Sequence, residues 1–150
     1  GHERIAHIAG PQNSPGGRFR LDGFRDELGE AFDPSLVAVG DFGRPSGAAA
    51  MGEILQAGPV DAVFAASDSM AVGAIERMRR EGIAVPGDVA VAGFDDSGLA
   101  ADAEPSLTTV RQPWADISTA MVSMLLDIIR GGKGETLVLP TEIVVRESAP

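Results

Sequence analysis

Apolar residues along the chain come as short continuous runs alternating with helical stripes. "RIAHIAG" (4–10) predicts a buried strand, and "LVAVG" (36–40), "DAVFAA" (61–66) and "DVAVAGF" (88–94) predict three more. Between them Leu21, Phe24, Leu28 and Phe32 recur at helical spacing. Ala50, Ile54 and Leu55 mark a second helix, and Ala71, Ala74, Ile75 and Met78 a third. Ser67 or Asp68 caps that third helix, with Asp68 preferred. Strands that are continuously apolar and rich in Val and Ala suit a parallel sheet covered on both faces.

The rhythm changes after Phe94. A loop of small and acidic residues (95–106) leads to a short strand, "LTTVR" (107–111). Ile117, Met121, Met124, Leu125 and Ile128 then give the cleanest helical stripe in the chain. Gln112 is its expected N-cap, with Pro113 in the first turn and Gly131-Gly132 at its end. "TLVLPTEIVVRES" closes the chain with one or two extended segments. The expected fold class is therefore α/β, an open parallel-sheet three-layer sandwich. In such sheets ligands sit beyond the C-terminal strand ends. Those ends carry Gly10-Pro11, Asp41-Phe42, Ser67-Asp68 and Asp95-Asp96.

Composition narrows the function classes. A length of 150 residues fits one domain, and 44% hydrophobic residues suffice for a core. The chain has no cysteine, which excludes disulfides and thiolate zinc sites. The net charge of −10 argues against direct nucleic-acid binding. No apolar run approaches the ~20 residues of a membrane span, and no secretory signal opens the chain. The opening "GHERIAHIAG" reads like a helix end running into a strand, as in a fragment of a longer protein.

Several motifs fail on spacing. "HERIAH" has one residue too many between His2 and His7 for a helical zinc pair. In "GRPSG" (43–47), Ser46 falls one position late for a nucleophile elbow and is expected to cap a helix. "GGKGE" (131–135) follows a helix, whereas a phosphate loop precedes one. Asp95 and Asp96 lack alternating metal-loop spacing, and adjacent side chains point apart, which makes them a poor acid/base pair. No catalytic residue, cofactor or metal is expected.

In order and spacing, "RLDGFRDEL" (20–28), "GDFGRPSGAAAMGEIL" (40–55), "DAVFAASDSMAVGAIERMRREGIAVPGDVAVAGFDDS" (61–97), "PSLTTVRQPW" (105–114) and "PTEIVVRESA" resemble the ligand-binding core of LacI-type transcriptional regulators. That core shares its periplasmic-binding-protein-like fold with sugar carriers. The resemblance covers nearly the whole chain and implies a C-terminal part of such a core. About 1–111 and 141–150 would form most of the second subdomain, and about 112–140 would supply a crossover helix and strand packing on the first. DNA would be bound only through a helix-turn-helix absent from this chain. An exposed apolar face would then favour self-association, or altered packing of the 114–131 helix.

The resemblance also implies site residues. Arg20 would reach ligand oxygens, Phe42 would stack on a sugar or base, and Ser67 would contact the ligand or cap a helix. Asp95 would accept from ligand hydroxyls while Asp96 braces the loop. Gln112 and Trp114 would line the crossover. One Asp, one Arg, an amide and aromatics suit a polyol. The effector would be a sugar, a nucleobase or nucleoside being second choice. Ser46, Met51, Val72 and Ile75 would face a second copy in a homodimer. The implied function is a cytoplasmic effector sensor that is not an enzyme; the alternative is a periplasmic sugar-binding protein of a transport system.

Overall fold

The computed structural model describes residues 1–150. Six strands form one sheet in the order β2-β1-β3-β4-β5-β6. They are β1 Ile5–Ala9, β2 Val37–Val39, β3 Ala62–Ala65, β4 Ala90–Asp95, β5 Thr108–Arg111 and β6 Glu142–Val144. The first five are mutually parallel, as the continuously apolar runs predict, whereas β6 runs antiparallel to β5. It pairs Arg111 with Glu142 and is the only strand of the closing stretch. The strand expected within 112–140 does not form; 133–141 has no regular structure.

Helix α1 (Pro15–Leu28) starts where Ser14 Oγ accepts from the Gly17 amide at 3.1 Å, with Pro15 at the first position. It ends one turn before Phe32, whose ring instead meets Phe24 edge-on at 6.3 Å. Phe24, His7 and Phe64 stack on the α1 face of the sheet. Helices α2 (Arg44–Ala57) and α3 (Asp68–Arg80) cover the other face. There Ala6, Ile8, Val63, Ala65 and Val91 join Met51, Ile54, Met70 and Met78 in the main core. The two helices approach closely because Gly47 and Gly73 lack side chains: a Cβ at Gly47 would overlap the Met70 carbonyl, and one at Gly73 the Arg44 carbonyl.

Three expected caps differ. Ser67, not Asp68, caps α3, accepting from the Met70 amide at 3.2 Å. Gly43 precedes α2, and Ser46 lies inside its first turn, accepting from the Asp41 amide. A short helix, α4 (Gly98–Asp102), follows β4. Pro113 precedes α5 (Trp114–Ile129), so Gln112 is free for another partner. α5 buries none of its residues, and Met121, Leu125 and Ile128 are exposed.

α1 and the α2–α3 pair lie on opposite faces because the chain reverses its winding between β1 and β3. That reversal opens a crevice at the C-terminal strand ends.

Candidate functional site

Residues from five segments meet at this rim. Arg20, on α1, lies near the switch point and donates to the Ala66 carbonyl at 2.6 Å. Its guanidinium sits 3.8 Å from the Phe94 ring centroid and 5.7 Å from that of Phe42. Its Nη2 lies 3.7 Å from Asp95 Oδ1. Burial is the main influence on the Arg20 pKa and lowers it, while Asp95 and Asp68 favour its charge.

Asp95 ends β4 and faces the same space. Gln112 Nε2 donates to its Oδ1 at 2.6 Å, and Trp114 Nε1 donates to its backbone carbonyl at 3.2 Å. Burial pushes the Asp95 carboxyl above its usual value; the Gln112 hydrogen bond and the Arg20 charge offset this only in part. Such a carboxylate, short of donors, suits a ligand that brings hydroxyl hydrogens.

Phe42 ends the β2 loop with φ 71°, and its ring fills the space beside Gly10, where a Cβ would collide with it. Ser67 Oγ donates to the Phe42 carbonyl at 3.2 Å, so this buried residue both caps α3 and fixes the Phe42 loop. Three non-glycine residues have positive φ, namely Phe42, Asp95 (120°) and Asp96 (51°), and all lie at this rim. Such backbone is costly and concentrates where function holds it.

Arg20, Phe42, Ser67, Asp95, Gln112 and Trp114 are thus brought together. Phe94 was not anticipated; it lies inside a predicted strand, and alternation alone left open which face it takes. Asp95 and Asp96 diverge as expected, since Asp96 turns to Arg111 and Arg146. Asp68 lies buried beneath the rim. It accepts from Thr109 Oγ1 at 2.5 Å and from the Ser97 amide and hydroxyl at 2.7 and 3.0 Å. Of the four residues expected at a dimer surface, Met51 is fully buried in the core and Ile75 nearly so, which leaves them little surface for a second copy. Ser46 and Val72 are partly exposed.

A family model described as a periplasmic binding protein-like domain matches residues 1–149. The chain belongs to that family. Its resemblance to LacI-type regulators is borne out among its relatives. The HTH-type transcriptional regulator CelR of Thermobifida fusca is 49% identical, over 99% of this chain and 45% of its own length. A solved CelR–cellobiose complex superposes with TM-score 0.95 at 48% identity, covering 99% of this chain and 47% of that one. The lac repressor dimer bound to operator and the anti-inducer ONPF gives TM-score 0.91 at 32% identity, covering 99% and 53%. The chain therefore spans about half the length of the relatives it matches. No helix is long and apolar enough to cross a membrane.

Proposed function

We propose that this chain is part of the effector-binding core of a LacI-type transcriptional regulator and binds a small sugar at the Arg20–Asp95 rim. The observation that carries the reading is Asp95: a half-buried carboxylate of raised pKa, held by Gln112, flanked by Arg20 and lined by Phe42 and Trp114. Aromatic faces and charged acceptors beside donors are what a polyol needs. Since CelR was solved with cellobiose, a β-linked glucose disaccharide is the first candidate.

In this reading 112–140 crosses to a companion subdomain, which the exposed apolar face of α5 supports. The sugar binds one arrangement of the two subdomains better than the other and so shifts DNA affinity in the whole regulator. A homodimer in the cytoplasm follows from the same reading, and its steps require no catalysis. The regulators among the matched relatives favour it over a transport carrier. A thermal-shift screen with cellobiose, other mono- and disaccharides and nucleosides tests it. A rise in melting temperature with one sugar supports the reading, and a response to nucleosides alone overturns the sugar assignment.

A further inference from the structure

Asp96 is placed for more than bracing its own loop. Its side chain is 9% exposed and takes two arginines from distant segments. Arg111 Nε, at the end of β5, donates to Oδ2 at 2.6 Å. Arg146 Nη2, just after β6, donates to Oδ1 at 2.7 Å, while its Nη1 holds the Leu107 carbonyl at 2.8 Å. Arg111 also reaches Glu142 of β6 at 3.3 Å. In the sheet register Asp95 lies opposite Arg111, and Arg111 opposite Glu142. One row of side chains thus joins the turn carrying the ligand carboxylate to β5, which leads out to α5, and β6, which leads back.

The turn needs such support. Asp95 and Asp96 are consecutive positive-φ residues, a conformation that persists only when its surroundings over-determine it. Ser97, held by Asp68, anchors the far side; Asp96 supplies the near side. Two arginines hold this carboxylate by charge-assisted hydrogen bonds, which are stronger than neutral ones.

We propose that Asp96 is a positioning residue: through Arg111 and Arg146 it sets the Asp95 turn and ties it to the two strands that connect with α5. For its ligand this rests on the function proposed above. Filling the site and setting β5 and β6 are then one coupled equilibrium.

Amide hydrogen exchange and cellobiose titration on the full chain test this with the wild type, D96N, D96E and D95N. Without ligand, D96N exchanges about tenfold faster at the β6 amides that donate to β5, while β1 and β3 amides stay within about threefold of wild type. D96E, which keeps the charge, recovers most of that protection, and D95N leaves β6 at the wild-type rate. Cellobiose binds D96N about tenfold more weakly, a change of the size expected for a lost charged hydrogen bond. D96N that exchanges like the wild type at β6, or that loosens all strands alike, overturns the proposal. A wild type that binds no sugar while D96N still loosens β6 contradicts the effector reading and upholds the tie.

Discussion

Gln112 Nε2 lies 2.6 Å from Asp95 Oδ1, one bond between the residue after β5 and the last residue of β4. It is the shortest polar contact to the carboxylate on which the proposed site depends, and it opposes the burial that raises the Asp95 pKa. Gln112→Ala therefore raises that pKa further and removes a neighbour of the ligand. Sugar affinity should fall about tenfold, as for one hydrogen bond to a charged group. Calorimetric titration checks this, and an unchanged affinity would remove Gln112 from the site.

The Asp95 carboxylate also costs stability. Its folded pKa is raised, so its ionised form is disfavoured relative to the unfolded chain. The penalty is absent at acid pH, where the group is protonated in both states. It develops as pH rises through the unfolded and then the folded pKa, and is complete at neutral pH. Asp95→Asn should melt higher than wild type at pH 7 and lose that advantage below pH ~4. A lower melting temperature at pH 7 would contradict this.

His7 gives the opposite dependence. It is fully buried between Phe24 and Phe64, its Nδ1 donating to the Phe64 carbonyl at 2.8 Å and its Nε2 unpartnered. Desolvation, the largest influence, lowers its pKa to about 4 from 6.5. The unfolded chain takes up the proton first, so stability is complete above pH 6.5 and declines as pH falls toward 4. The lowered pKa corresponds to about 3 kcal/mol. In urea unfolding, His7→Leu should flatten this stretch of the profile; a parallel profile would refute the assignment.

Asp68 is the residue the sequence misplaces most instructively. Two cap-type residues stand side by side at 67–68, and local propensity cannot choose between them. Asp68 is taken by Thr109, 41 positions away, and by Ser97, 29 away, and no local pattern encodes either partner. Asp68→Ala leaves the buried Thr109 hydroxyl and the partly buried Ser97 donors unpaired and should cost about 2–4 kcal/mol. Denaturant unfolding checks this, and a loss below about 1 kcal/mol would show that Thr109 and Ser97 find other acceptors.

The same contrast runs through the whole fold. Helical stripes and Val/Ala runs are local, so the four leading strands and the three leading helices were legible. Arg20, Phe42 and Asp95 were legible through family resemblance, and the rim through sheet topology. The β4–β5–β6 register was not. It places Arg111 opposite Asp95 and brings Arg146 to Asp96, and it depends on pairing over tens of residues. The resemblance places Met51 on a dimer face, and it does not reveal that Gly47 and Gly73 let α3 pack closely on α2 with Met51 fully buried.

In the function we propose, Asp95 grips a sugar hydroxyl. Its most direct test is calorimetric titration of wild type and Asp95→Ala with the sugar that most raises the wild-type melting temperature, cellobiose first. Asp95→Ala should bind at least about a hundredfold more weakly, as expected when a charged acceptor is lost. Equal affinity for the two proteins would contradict it.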